Sequence, residues 1–471
     1  MEYKVPEQYY FRIHHARPRF KNDVESVLIY VAENIAKLEP MSEADFAQKL
    51  NEAIYGYPGN AHKALKTINN WRTEISSLFG FVQHNDNDIA EAGRRAKELA
   101  NDGDLIAFFK TYLYSFQYPG AHIKSHAILE QIEHGVHFKP AQYILRLLTY
   151  IKDTEGVKIG LTKGEICHCI FNDLRVTRDD EDVSLVWERI KSNRKNQLTY
   201  DMTGDVIRYA GDIIDYMEIA NLLKTWDGRT YYLNDLETET IVKFIESKEW
   251  FSGYDKMIER QQGTLDTINN VYYSWFSYVN RDMDTTDFKT DILAYIAGDQ
   301  QEYEELKNTG KEITGRLESE EGFTTKDIGD MGESLVHGHE CMRVKIGGRE
   351  DLIHLIKRIP TQFAVGYDIS SVELDERKRY IEVKTTISSK PLHFNSVHLT
   401  RNEWNTADTT REAYYVYRLM ISKNGTKLFL LQDPVGLYKQ DKINMIPNDG
   451  ADITFDPKTV GRFEDLLVWK H

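Results

Sequence analysis

Cysteine is nearly absent, with three in 471 residues. That excludes a disulfide framework and predicts a reducing compartment. No stretch approaches the roughly 18 consecutive apolar residues a membrane span requires. The first twenty residues, MEYKVPEQYYFRIHHARPRF, lack the apolar core of a secretory signal, so a cytoplasmic protein is expected. There is no fixed-period repeat and no low-complexity tract. Neither a P-loop nor a glycine fingerprint between strand and helix occurs, so no nucleotide cofactor and no ATP-driven motor is expected. An excess of positive charge is missing too: 59 Lys and Arg face 74 Asp and Glu, a net charge of −15. Whole-molecule attraction to nucleic acid is thereby disfavoured. Local basic stretches such as RIHHARPRFK (12–21) and RIKSNRKNQ (189–197) remain available for phosphate contacts, or are simply solvated surface.

What is present is the composition of a globular protein: 41% hydrophobic, 28% charged and 12% aromatic, at a length that predicts two to four domains. Residues 41–83 read as helix, loop, helix and short strand. Ser42 is placed to cap the first helix with Asp45 at its third position. Leu65, Ile68, Trp71, Ile75 and Leu78 fall at helical spacing, and Gly80 follows as a terminator. A similar unit starts at the capping box Thr162-x-x-Glu165, continues through a helix over 182–194, and ends in LLKTWDGRTYYL. There Asp227-Gly228 suits a type I′ hairpin turn. Helices followed by a two-stranded hairpin outline a winged helix, a module that either reads DNA or packs against protein. The expected organisation is a mainly α-helical N-terminal region with winged-helix-like modules at 1–150 and 151–240. A helical connector at 241–325, with a boundary near 318–327, leads to a strand-containing domain at 326–471.

That last region carries the chemistry. In RYIEVKTT (379–386), Tyr380, Glu382 and Lys384 share one strand face, while Ile381 and Val383 share the other. An adjoining strand, TQFAVGYDIS (361–370), would set Asp368 beside Glu382. The two could then hold one Mg²⁺ against a phosphate, with Lys384 close by. Equally, the segment can be a hairpin with charges on its wet face. Glu-x-Lys occurs three times: at Glu246/Lys248, Glu305/Lys307 and Glu382/Lys384. The first two read as helical, where residues two apart diverge by about 200° and cannot share a metal. Upstream, residues 328–346 read as a helix with Glu333 and Glu340 on one face. Glu333 is the candidate third carboxylate, and Glu340 suits a solvated or structural role. Cys167, His168 and Cys169, like His337 and Cys341, lack the partner ligands a zinc site needs.

Gly332-Glu333, GYDIS (366–370) and YIEVKTT (380–386), with FNSVHLTRNEWNTA (394–407), AYYVYRLM and LFLLQDP further on, resemble a PD-(D/E)XK nuclease core. More narrowly they resemble the protein NO VEIN C-terminal domain family of bacterial defence and restriction proteins. Asp368 follows Gly-Tyr rather than the family's Pro. DIAEAGRRAKELANDGDLIAFFKTYLYSFQYPG (88–120) more loosely resembles the recognition regions of AlwI-type restriction endonucleases. The resemblance implies an α/β core around a central mixed sheet and Mg²⁺-dependent cleavage of double-stranded DNA in a bacterial cytoplasm. Asp368, Glu382 and Glu333 would be metal ligands, and Lys384 would orient the attacking water. One such centre per chain suggests a homodimer, at least on DNA. Two other functions stay open: a restriction enzyme that requires a modified base such as methylcytosine, and an inactive DNA-binding defence subunit.

Overall fold

The computed structural model describes all residues except 16, 17, 19, 21, 22, 85, 86, 157, 158, 293, 294, 296–326, 361–364, 391, 393, 424 and 468–471. The expected helix around Glu305 and Lys307, nearly all of the expected 318–327 boundary, and the start of the strand read from 361 lie outside the described residues. The chain forms two compact units, one of Met1–Asn101 with Leu105–Phe288, the other of Asp102–Asp104 with Lys289–His471. Among the described residues no helix is long and apolar enough to cross a membrane.

The first unit is mainly helical and contains two small antiparallel sheets of the same topology. Strands β1 (Met41–Ser42), β2 (Val82–His84) and β3 (Ile89–Ala92) lie in the order β1-β3-β2. Strands β4 (Leu161–Thr162), β5 (Leu223–Lys224) and β6 (Thr230–Leu233) repeat it as β4-β6-β5. Helices fill the interval between first and second strand in both cases, Glu43–Gly56 and Leu65–Thr73 in one, and Val183–Lys195 and Gly204–Ile219 among those in the other.

Local chemistry accounts for these boundaries. Ser42 Oγ accepts from the Asp45 N–H at 3.2 Å, and Thr162 and Glu165 form a complete capping box. Ile68, Trp71, Ile75 and Leu78 are buried as one stripe that continues through a π-turn over Glu74–Leu78, whereas Leu65, at the first helical position, stays exposed. Gly80 ends the segment with φ of +73°. The Asp227-Gly228 turn differs from the expected type I′. Only Gly228 of the pair has positive φ, and the strands stop at Lys224 and resume at Thr230. The Asp227 carboxylate closes this wider loop by accepting from the N–H groups of Arg229 and Thr230, both at 2.8 Å.

Residues 1–150 and 151–240 belong to the same unit, and helix Pro140–Glu155 runs across the expected junction. Residues 251–279 also build that unit's core, where Phe251, Tyr254, Ile268 and Trp275 pack with Ala121, Ile128 and Ile132. Glu246 caps the end of helix Thr238–Ile245, so Glu246-x-Lys248 straddles a helix terminus rather than lying within a helix.

The second unit is built on a six-stranded mixed sheet. Its strands are β7 (Lys357–Arg358), β8 (Ile369–Val372), β9 (Lys378–Ser388), β11 (Tyr414–Ser422), β12 (Gly425–Gln432) and β15 (Arg462–Asp465), with β10 (Ser396–Thr400), β13 (Asn444–Pro447) and β14 (Gly450–Thr454) in a separate sheet. The order is β15-β12-β11-β9-β8-β7, with β9 and β11 parallel and every other pairing antiparallel. The β11 residues Tyr414, Val416 and Met420 face an apolar cluster with Phe394, Val397, Leu399, Ala407 and Ile453, on the side of helix Arg401–Thr410. Alternation turns Arg379, Ile381, Val383 and Thr385 of β9 to the opposite face, where helix Ile328–Ile346 packs. Gly332 permits that approach, since a Cβ there would stand 1.8 Å from Thr385 Oγ1.

A buried charge network fixes the same helix. Glu340 is fully buried and accepts from Arg343, from Arg379 Nη1 at 3.1 Å, from Ser371 Oγ at 2.7 Å and from Tyr417 Oη at 2.8 Å. It thereby ties the helix to β8, β9 and β11. Burial pushes the Glu340 carboxyl up, but Arg379 and Arg343 outweigh it and hold the group down at about 2. Because the folded value lies below the ordinary 4.5, this anion stabilises the fold above the unfolded-state value and loses its contribution as pH falls towards 2. Glu340→Gln should therefore cost about 3 kcal/mol near neutrality. Urea unfolding at stepped pH should show the gap to wild type closing between about pH 4.5 and 2. Gly332→Ala should destabilise the second unit by about 1–3 kcal/mol through overpacking, read in the same unfolding experiment.

Candidate active site

The hairpin of β8 and β9 sets the candidate residues side by side. Ile369 pairs with Ile381 and Ser370 with Tyr380, so Asp368 comes opposite Glu382 at the open end of the pair. Its backbone is locked there: the Asp368 N–H donates to Ile381 O at 2.9 Å, and Ile359 N–H donates to Asp368 O at 2.7 Å. The carboxylate accepts from the Val383 N–H at 2.7 Å and lies within hydrogen-bonding reach of Glu382. Glu382 is buried, only 4% exposed. Lys384, two residues along the same face, donates from Nζ to Glu382 Oε1 at 2.6 Å and to Glu403 Oε2 at 3.2 Å.

These groups perturb one another strongly. Burial pushes the Asp368 carboxyl up, against the Val383 N–H and Lys384, which lower it. Burial drives Glu382 well above the carboxylate range; Lys384 opposes this, while Asp368 and Glu403 reinforce it. Burial would lower Lys384, but Glu382 and Glu403 outweigh it and hold the ammonium protonated. Burial also raises Glu403, yet Lys384 and the Thr400 N–H bring it below its ordinary value. Three carboxyls thus surround one ammonium. Asp368 and Glu382 cannot both be ionised cheaply unless a further positive charge joins them.

The four residues singled out in the sequence separate into three plus one. Asp368, Glu382 and Lys384 come together. Glu333 lies within electrostatic range of Asp368, but its carboxylate is held by Arg358 Nη2 at 2.8 Å, and Arg358 also reaches Ser334 and Asp330. Burial raises Glu333 to about 7, with Arg358 opposing and Asp368 adding to the rise. Among the described residues, no group of three or more His, Cys, Asp or Glu side chains is arranged to hold a metal by itself. Cys167 and Cys169 are buried and their thiols are raised by burial to about 12, so they are packing residues. His337 bonds the carbonyl of Ile356, and Cys341 lies against it.

Sequence reasoning missed Glu403 and Arg358. Thr400-x-x-Glu403 has the spacing of a capping box, and it forms one at the start of helix Arg401–Thr410. That signal predicts a helix start but not contact with Lys384. The helix is seated by Thr406 Oγ1, which donates to Val365 O at 3.0 Å, and by close approach to Gly366 (φ +80°). A Cβ at Gly366 would lie 2.8 Å from Asn402 O.

Residues 332–431 match the family described as "Protein NO VEIN, C-terminal". Residues 3–276 match the family described as "Restriction endonuclease BpuJI - N terminal". No curated protein matches the chain. One similar solved structure is described as "Crystal structure of pyrene- and phenanthrene-modified DNA in complex with the BpuJ1 endonuclease binding domain". It is 24% identical, covers 59% of this chain and 100% of its own, and superposes with a TM-score of 0.52, a likeness of fold. Since the N-terminal match spans more than half of the sequence, the chain belongs to the restriction endonuclease BpuJI N-terminal family.

Proposed function

We propose that this protein is a Mg²⁺-dependent restriction-type endonuclease, in which the first unit reads a specific sequence in double-stranded DNA and the second cuts it. The observation that carries the reading is the Asp368–Glu382 carboxyl pair, half-buried and buried respectively, with Lys384 bonded beside it on a mixed sheet. Such a grouping supports reading the second unit as a PD-(D/E)XK-like centre. The order β1-β3-β2, repeated as β4-β6-β5 with helices between first and second strands, supports two winged-helix modules. The similar solved structure, an endonuclease binding domain in complex with modified DNA, supports assigning DNA reading to this unit.

The donor set suits a hard divalent cation. Mg²⁺ is commonly bound through one or two carboxylates together with water and substrate phosphate. Asp368 and Glu382 supply that pair, and burial, with the charge of Asp368 adding to it at Glu382, raises their proton affinity. When bound, Mg²⁺ would supply Lewis acidity towards the scissile phosphate. Lys384 acts as a donor, since its carboxylate neighbours keep it protonated. Glu382 and Glu403 engage two of its three N–H bonds, leaving one for the attacking water or a phosphate oxygen. Glu333, clamped by Arg358, shapes the field at Asp368. One centre per chain and two strands to cut imply a homodimer on DNA.

Plasmid DNA should be linearised with Mg²⁺ and left intact in EDTA. Glu382→Gln and Lys384→Ala should each slow cleavage by about 10²-fold or more, with binding of the same DNA, measured by gel shift in EDTA, retained. Cleavage by either variant at the wild-type rate would sink the assignment.

A further inference from the structure

We propose that Glu403 is the positioning residue for Lys384, reaching the catalytic face from a different element through a carboxylate that also caps its own helix. This rests on the nuclease reading above and adds a fifth residue to it, after Asp368, Glu382, Lys384 and Glu333.

One oxygen does both jobs. Glu403 Oε2 accepts from Lys384 Nζ at 3.2 Å and from the Thr400 N–H at 3.0 Å. The Glu403 N–H in turn donates to Thr400 Oγ1 at 3.4 Å. An ordinary capping carboxylate sits at the wet end of a helix, whereas the Glu403 side chain is 13% exposed and lies against a lysine 19 residues upstream. The loop that leads into Asp368 is held by this helix, through Thr406 Oγ1 to Val365 O, and by the start of β11, through Tyr414 Oη to Gly366 O at 2.9 Å. The loop that delivers Asp368 and the helix that delivers Glu403 therefore share one anchorage.

The consequence for Lys384 is geometric and electrostatic. A lysine side chain has four rotatable bonds and no intrinsic preference for one pose. With Glu382 as its only partner, the ammonium would lie on the carboxylate that is to hold Mg²⁺ and compete for it. Glu403 draws the ammonium to a second point, fixes Nζ between two acceptors, and divides its charge between them. It also adds a third acidic side chain around one ammonium.

Glu403→Gln separates this role from capping, because Gln at the third helical position sustains a capping box but carries no charge. Thr400→Ala is the converse, removing the capping hydroxyl and leaving the carboxylate. The readouts are Mg²⁺ affinity by calorimetry on DNA-free protein, kcat and KM for plasmid cleavage, and melting temperature. Glu403→Gln should bind Mg²⁺ about 10–100-fold more weakly and lower kcat by a similar factor, with KM for DNA and melting temperature unchanged. Thr400→Ala should melt lower and keep wild-type Mg²⁺ affinity. Glu403→Gln with wild-type Mg²⁺ affinity would overturn the proposal. So would losses in Glu403→Gln matched by Thr400→Ala, which would make Glu403 a cap alone. If wild-type protein fails to cut DNA, the nuclease reading falls, and the calorimetric comparison still decides the role of Glu403.

Discussion

Two carboxyl groups pressed together on neighbouring strands set the problem that the second unit is built around. Asp368 and Glu382 are brought opposite each other by the β8–β9 register, Glu382 buried and Asp368 half-buried. Ionising both would set like charges against each other, and burial adds to that cost. The fold meets part of it with Lys384 and with the Val383 N–H. It spends stability to keep the pair, and the rest of the unit supplies the rigidity that holds it: strand pairing on both sides of β9, a helix on each face, and a capped helix start at Thr400.

Two glycines let those helices come close enough. At Gly332 a side chain would collide with Thr385, and at Gly366 it would collide with the turn that starts the Arg401–Thr410 helix. Gly366 also needs its positive φ, which only glycine adopts without strain. The first glycine sets the depth of the helix that carries Glu333 and Glu340. The second sets the depth of the helix that carries Glu403. Site geometry thus depends on two positions with no side chain, neither of which takes part in the chemistry.

Much of this was legible in the sequence, for local reasons. Period-two alternation put Glu382 and Lys384 on one face and Ile381 and Val383 on the other, and the structure agrees. Ser42 and Thr162 mark helix starts through side-chain bonds that span three residues, and Gly80 marks an end through its positive φ, so short-range sequence alone exposes them. The Asp227 loop was harder, because an Asp side chain can replace the backbone conformation that its position suggests. The ion pairs were illegible. Glu403 meets Lys384 across 19 residues and Glu333 meets Arg358 across 25. Nothing in a spacing rule links such positions, since only the tertiary packing of helix against sheet brings them together.

The two faces of β9 show why charge balance, rather than residue type, distinguishes structure from chemistry in this unit. On one face Glu340 and Glu373 meet Arg343 and Arg379, two acids against two bases, with Tyr415 and Tyr417 adding hydroxyl donors. Both carboxyls there are held below their ordinary values even though burial pushes them up. On the other face Asp368, Glu382 and Glu403 share one ammonium, and burial lifts Asp368 and Glu382. Both faces bury acids beside bases on a single strand. The first is neutral and complete, so it can only hold the sheet together. The second has three acids around one ammonium, with Glu403 held low by Lys384 and Asp368 and Glu382 lifted by burial, and it is there that the proposed Mg²⁺ would bind.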